Sequence, residues 1–253
     1  MRLRPLVSII MPSYNSSKTI RRSIDSIIAQ SYDNWELLVT DDKSSDDTLS
    51  LLKNYAEMDE RIKVFVLNEN GGAGVARNNS IYHASGRYIA FLDSDDEWHP
   101  KKLQKQIKFM LDNKYALTYT AYRKIDGNNN LKGSIYPPMR TCYSDLLKSN
   151  VIGCLTAIYD TELLGKIYMP VIRKRQDMAL WLLILEKIDY AWCLNDVLAY
   201  YREGHESLSS NKLKILKSQW GFYRDYLKYS LFKSAYYFSF YLVKAYKKHN
   251  KTK

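Results

Sequence analysis

Tyr88-Ile-Ala-Phe-Leu-Asp-Ser-Asp-Asp-Glu-Trp98 is a short apolar run that ends in a cluster of carboxylates. Following Gly86 and rich in aromatic and branched residues, it reads as a buried strand delivering its last residues to a sheet edge. Side chains alternate along a strand, so Asp93 and Asp95 share a face about 7 Å apart. Two hard oxygen donors so placed suit Mg2+ or Mn2+, which take one or two protein carboxylates and leave positions for a substrate diphosphate. On these residues alone a second reading stands: Asp95, Asp96 and Glu97 open the next helix, whose first turn favours acids.

Upstream, strands and helices alternate. Leu6–Met11 is an apolar, β-rich run closed by Pro12-Ser-Tyr-Asn15. Ser16 or Ser17 then caps a helix with Ile20, Ile24, Ile27 and Ile28 on one face. Trp35–Thr40 is a second buried strand ending in Asp41-Asp42, and Ser44 with Asp47 suggests a capping box for the next helix. Arg61–Leu67 makes a third strand, and the glycine-bearing loop at 68–74 leads into a helix through Ala84. This order predicts an α/β fold, a doubly wound and mostly parallel sheet with flanking helices whose ligands lie beyond the carboxyl ends of the strands. The loops after Met11, Thr40, Leu67 and Leu92 then converge on one crevice.

Those loops suit a nucleotide. Asp41 and Asp42 can accept hydrogen bonds from a base edge and a ribose hydroxyl, and Gly71, Gly72 and Gly74 let backbone approach a ligand. Arg77 offers a planar donor fork to a phosphate or carboxylate. The bland alternatives, a solvated helix start and ordinary turn glycines, remain open at this level. The loop is neither a Walker A sequence nor a Rossmann fingerprint, which disfavours ATPase and dehydrogenase readings.

The net charge of +11 is local: Asn211 to Lys253 holds eleven Lys or Arg against the single acid Asp225. Twelve aromatics are interleaved there, and the longest uncharged run, Ser234–Val243, is too short to span a bilayer. Such a mixture describes helices lying in the interface of an anionic membrane. The same residues also suit a helical hairpin packed on the domain; nucleic acid is disfavoured. The division expected is a catalytic domain at 1–210 and a basic, aromatic helical segment at 211–253. No signal peptide is evident, and three scattered cysteines suggest buried thiols in a reducing cytoplasm.

Four stretches carry a family resemblance: Val7-Ser-Ile-Ile-Met-Pro-Ser-Tyr-Asn15, Asp41-Asp-Lys-Ser-Ser-Asp-Asp-Thr48, Gly71-Gly-Ala-Gly-Val-Ala-Arg-Asn78 and Phe91-Leu-Asp-Ser-Asp-Asp96. Their order and spacing resemble family 2 glycosyltransferases, inverting enzymes of the GT-A fold. The resemblance implies a UDP-sugar site drawing on Pro12, Tyr14, Asn15, Gly72 and Arg77, with Asp41 and Asp42 toward uracil and ribose. It makes Asp93-Ser94-Asp95 the DXD motif that binds a divalent metal, with Asp95 on the metal and Asp93 beside it, toward ribose or sugar.

Further on, a helix is expected at Trp98–Asn113, strands at Tyr115–Ile125 and Gly153–Tyr159, and a hairpin tip at 126–130. Arg173-Lys-Arg-Gln-Asp177 precedes a strongly apolar helix. By residue type Asp177 suits an N-cap; by resemblance it is the general base, with Gln176 where the family often has Glu. After the apolar run Ala191–Tyr200, Tyr201-Arg-Glu-Gly-His205 resembles the family's loop over the donor diphosphate, which makes Arg202 a diphosphate contact and His205 a metal or phosphate contact. Small family members with basic aromatic tails resemble enzymes extending O-antigen, capsule or teichuronic-type glycans on a polyprenyl diphosphate carrier. That implies a lipid-linked acceptor and a peripheral place on the inner face of the cell membrane. Rival classes are a sugar nucleotidyltransferase, a phosphatase using Asp93, and a non-catalytic membrane or polyanion binder. Oligomeric state is not legible.

Overall fold

The computed structural model describes residues 4–128, 130–203 and 212–250. Its first half follows the expected alternation: β1 (Val7–Ser13), α1 (Ile20–Ile28), β2 (Trp35–Asp41), α2 (Thr48–Met58), β3 (Ile62–Val66), α3 (Ala73–His83) and β4 (Tyr88–Phe91). Then come β5 (Glu97–Trp98), α4 (Lys102–Asn113), β6 (Leu117–Ile125), β7 (Leu131–Ile135), β8 (Arg140–Thr141) and α5 (Tyr143–Lys148). The chain continues through β9 (Ile158–Asp160), α6 (Thr161–Leu164), α7 (Gln176–Leu185), β10 (Ala191–Arg202), α8 (Lys212–Gly221) and α9 (Leu231–Asn250).

The strands form one mixed sheet in the order β3-β2-β1-β4-β9-β6-β10-β5, with β7 against β6 and β8 against β10. Strands β1 to β4 are parallel, and β9 is antiparallel to both neighbours. The chain winds one way from β1 to β3 and then crosses to β4 on the other side of β1. The crevice at that reversal, outside the carboxyl ends of β1 and β4, is where α/β sheets bind ligands.

Alternation along the strands supplies both faces of the sheet. Ile10, Leu38, Ile89 and Phe91 enter one core with α5, α7 and the C-terminal helices. Val7, Ile9, Met11, Leu37 and Val39 enter the other, beneath Ile20, Ile24 and Ile27 of α1 and Leu103, Ile107 and Met110 of α4. A parallel sheet covered on both faces needs apolar residues at nearly every position, which is why β1 reads as continuous rather than alternating. Helix α7 is buried from Met178 to Leu182, as its unbroken apolar sequence requires.

Several local expectations are corrected. Helix α4 starts at Lys102, because Glu97 and Trp98 pair with Tyr200 and Ala199 of β10 and carry the chain across the sheet. Asp96 and Glu97 therefore do not open a helix. Ser44 forms no capping box: its N–H and Oγ both donate to Asp41 at the end of β2. Neither Ser16 nor Ser17 caps α1, which follows a turn closed by the Thr19 and Ile20 amides on the Ser16 carbonyl. The strand expected at 153–159 is short, because Cys154–Thr156 forms a single 3-10 turn before β9. The cysteines are free, but only Cys193 is buried.

Helices α8 and α9 pack on the domain. Phe222 and Tyr223, just after α8, are buried in the same core as Phe91 and Trp181. Tyr223 Oη donates to the Leu147 carbonyl at 2.5 Å, and Trp220 meets Phe238 edge-on, closing α8 and α9 into a hairpin on the domain. The outer face of α9 stays uncovered.

Candidate active site

The end of β4 is held in shape by charges that are far away in sequence. Arg77 of α3 is 8% exposed, and its Nη2 donates to Asp93 Oδ1 at 2.5 Å. Its Nη1 reaches Gln176 Oε1 at 3.3 Å, so one guanidinium joins the DXD stretch to the start of α7. Gln176 Nε2 in turn donates to the Ile172 carbonyl at 2.6 Å. Gln176 packs closely over Gly74 at this junction, and a Cβ there would lie 2.7 Å from its Nε2, so a side chain would displace Gln176. Asn78 clamps the same loop, exchanging hydrogen bonds with the carbonyl and N–H of Met169.

Asp177 enters the cleft from the first turn of α7. Asn150 Nδ2 donates to its Oδ2 at 2.9 Å, and Arg175, not Asp177, takes the N-cap position. Burial raises the Asp177 carboxyl above its ordinary value, opposed by the Met178 amide and then by Arg77. A carboxylate disfavoured in this way has an increased tendency to take a proton, which is what a general base needs. Asp95 is also displaced: the surrounding protein, then the charge of Asp93, pushes it up to about 6. Asp96 is buried and raised well above the usual carboxylate range by burial, then by Asp95 and Asp93.

Asp93, Arg77 and Asp177 line one cleft of about 650 Å³ together with Tyr201 and Cys154. Tyr201, at the end of β10, packs edge-on against Tyr122, and burial pushes its hydroxyl up to about 12. The C-terminal hairpin closes one side: Tyr241 of α9 reaches the cleft, and Arg175 Nη2 donates to its hydroxyl at 3.2 Å.

The remaining anticipated residues fall around this cleft in different roles. Ser94 Oγ is 2.7 Å from Ser16 Oγ, tying the DXD loop to the loop after β1. Pro12 is buried within β1, Tyr14 is exposed, and Asn15 Oδ1 accepts from the Ser45 amide. Asp41 is occupied by Ser44, and Asp42 accepts from the amides of Gly71 and Gly72 at 2.7 and 2.8 Å. Both aspartates thus shape the loops after β2 and β3, and Gly72, at φ +83°, supplies a conformation that a side chain would oppose.

Arg202 is the residue expected to contact the donor diphosphate. At 7% exposure it lies under the DXD loop, donating to Glu97 Oε1 at 2.5 Å and to the carbonyls of Asp95 and Asp126, while its amide donates to Asp96. Its guanidinium buttresses the loop that carries Asp95, and diphosphate pairing would require those bonds to be exchanged. His205 lies outside the described residues. Sequence reasoning passed over Asn150, because no local pattern marks an asparagine 27 positions before its partner. The Arg202–Glu97 pair escaped for the same reason, with 105 positions between its members.

The donor set can be tested against a divalent cation. Among the described residues no three His, Cys, Asp or Glu side chains converge as a ready-made cage. Asp93 and Asp95 are nevertheless close enough for the charge of one to raise the other, a repulsion that a cation would relieve. Two carboxylates beside an open cleft fit a metal that completes its shell with substrate oxygens and water.

The family model described as Glycosyl transferase family 2 matches residues 8–162. The chain is 44% identical over 247 residues to the "Putative teichuronic acid biosynthesis glycosyltransferase TuaG" of Bacillus subtilis, covering 97% of this chain and 98% of that protein. It is 44% identical over 246 residues to the Escherichia coli "UDP-Glc:alpha-D-GlcNAc-diphosphoundecaprenol beta-1,3-glucosyltransferase WfgD", covering 96% and 95%. Among solved structures, S. aureus TarS 1-349 in complex with UDP superposes with a TM-score of 0.67 at 24% identity, covering 78% of this chain and 60% of that chain. The mannosyltransferase PcManGT from Pyrobaculum calidifontis, in complex with GDP-Man and Mn2+, gives a TM-score of 0.69 at 20% identity, covering 90% and 66%. These structural likenesses show the shared GT-A fold.

Proposed function

This chain belongs to glycosyltransferase family 2, and from that membership we propose that it moves a hexose or N-acetylhexosamine from a UDP-sugar to a hydroxyl of a polyprenyl-diphosphate-linked glycan. The observation that carries the reading is one cleft lined by Asp177, a base candidate, and Asp93, a leaving-group site, with Arg77 bonded to Asp93 and to Gln176, the residue before Asp177. The donor class is supported by TarS, whose structures hold UDP or UDP-GlcNAc, and the acceptor class by the substrate in the name of WfgD. Surface polysaccharide synthesis follows from the same relatives.

An acceptor hydroxyl is a poor nucleophile near neutral pH, so its proton passes to Asp177 as its oxygen attacks the anomeric carbon. The new carbon–oxygen bond forms while the bond to the β-phosphate oxygen breaks, and the electron pair leaves with UDP. Asn150 orients the Asp177 carboxylate, and the Arg77–Gln176 link sets its distance from the donor side. Mn2+ or Mg2+, held by Asp95 and Asp93, would supply neutralisation of the charge that develops on the diphosphate. One attack from the side opposite the leaving group inverts the anomeric centre.

Acceptor-dependent UDP release tests the reading, with a panel of UDP-sugars, Mn2+ and a GlcNAc-diphosphoprenyl acceptor. One sugar is expected to release UDP only when the acceptor is present. Absence of release with every sugar, or release that ignores the acceptor, contradicts the proposal.

We propose in addition that α9 rests on an anionic membrane surface. Among the described residues no helix is long and apolar enough to cross a membrane, yet Phe232, Tyr236, Phe240 and Val243 form an exposed stripe along α9 at helical spacing. Phe232 is 87% exposed, and the segment around the stripe carries the excess of lysines. Apolar residues at helical spacing amid cations describe an interfacial helix. Phe232→Glu with Tyr236→Glu is expected to cut partition onto anionic vesicles by about tenfold or more, from lost apolar burial and added like charge. Unchanged partition would remove α9 from the membrane.

A further inference from the structure

A second cavity opens beside the active-site cleft, and we infer that it holds the diphosphate and first isoprene units of the lipid-linked acceptor. It has a volume of about 550 Å³ and lies between the loop before α7 and the outer turns of α8. Arg173, Lys174 and Ser218 line both this groove and the cleft that contains Asp177, so the two spaces share a wall. The inference rests on the transferase reading and adds where the non-reacting part of the acceptor sits.

The groove combines two chemistries. Ile172, Phe222 and Tyr226 make its apolar side, with the Phe222 and Tyr226 rings stacked 5.2 Å apart. Arg173, Lys174 and Lys217 stand exposed on its rim, and none has an ion-pair or hydrogen-bond partner for its side-chain charge among the described residues. Elsewhere on this surface cations are commonly paired, as Lys63 is with Glu36 and Lys105 with Asp196. Asp225 is the one acid of the lining and does not line the cleft, so Arg173 and Lys174 hold the end shared with Asp177.

A ligand that satisfies both halves is anionic at one end and apolar at the other. With the acceptor sugar at Asp177, the next atoms along a sugar-diphosphoprenyl chain are the two phosphates, opposite Arg173 and Lys174. Guanidinium and ammonium groups bind phosphate oxygens through charge-assisted hydrogen bonds. The isoprene units then run along Phe222 and Tyr226. Helix α8 and the turn after it form this wall, and α9 packs on α8 through Trp220 and Phe238. A UDP molecule would satisfy the cations but leave the apolar side unused, and a bare lipid tail would leave the cations unused.

The test uses the full chain, with UDP and Mn2+ at saturation to fill the donor site, and farnesyl diphosphate as probe. Farnesyl diphosphate is expected to bind, with farnesol and inorganic diphosphate each at least about tenfold weaker because each satisfies one half of the groove. Arg173→Glu/Lys174→Glu/Lys217→Glu is expected to weaken farnesyl diphosphate by at least about tenfold. Lys217→Glu alone, on α8 and outside the cleft, is expected to lose about fivefold and guards against misfolding of the triple variant. Displacement of farnesyl diphosphate by UDP, or equal affinity in wild type and Lys217→Glu, overturns the inference. Failure of the transferase reading is distinct: it would show as absent UDP release with lipid acceptors in the wild-type chain, whereas a triple variant that keeps the wild-type KM for those acceptors would defeat the groove alone.

Discussion

Asp177→Asn is expected to lower the transfer rate by about 10²–10⁴-fold, the span that a positioned general base contributes. The substitution keeps the size of the side chain and an oxygen that can accept from Asn150 Nδ2, so the start of α7 should hold its place. Burial disfavours the wild-type carboxylate, so the amide should leave thermal stability unchanged or raised, as often happens where a site is strained for function. UDP affinity should be retained. The sign of the wild-type pH dependence also follows. A base works when deprotonated, and Asp177 is raised above its ordinary value, so the acid limb of kcat/KM should fall at a pH above the usual carboxylate range and disappear in Asp177→Asn. Joint loss of transfer and UDP affinity would instead assign Asp177 to binding.

Asp95→Ala is expected to cost at least about 100-fold in rate, since charge neutralisation by a metal is worth several kcal/mol and each 1.4 kcal/mol is a factor of ten. Its second readout is binding. Mn2+ should raise the melting temperature of the wild-type protein in the presence of UDP, and that increment should vanish in the variant. Asp93 remains in place through Arg77, so the cleft should persist. Full activity of Asp95→Ala, or of the wild type in EDTA, would show that cationic side chains alone suffice for the leaving group.

What was legible in the sequence has a physical pattern. The positions of Asp93 and the glycine loop followed from strands ending in polar residues, because the backbone itself carries such residues to the crevice of a wound sheet, whereas Asp177, in the first turn of α7, was singled out by the family resemblance. The roles of Arg202, Glu97 and Asp96 were hidden, since their meeting depends on β5 crossing to pair with β10 about a hundred residues later. Acids after a strand then look like a helix start, whereas here they meet a buried guanidinium. Ser44 was misread for a similar reason: a capping serine and a serine that serves Asp41 have the same local sequence. The segment after residue 210 was legible in composition but not in burial. Lys217, Lys228 and Lys233 are exposed, while Phe222 and Tyr223 enter the core, a division that counting charges cannot resolve.

Asp177 and the DXD carboxylates can share one reaction only if the acceptor attacks from the side opposite the departing UDP. The anomeric configuration of the purified product, read by NMR after incubation of an α-linked UDP-sugar with the lipid-linked acceptor, measures this directly. A β-linked product is expected from a single displacement with Asp177 as base. An α-linked product would contradict it, because retention needs a second displacement or a front-face path that this arrangement of carboxylates does not provide.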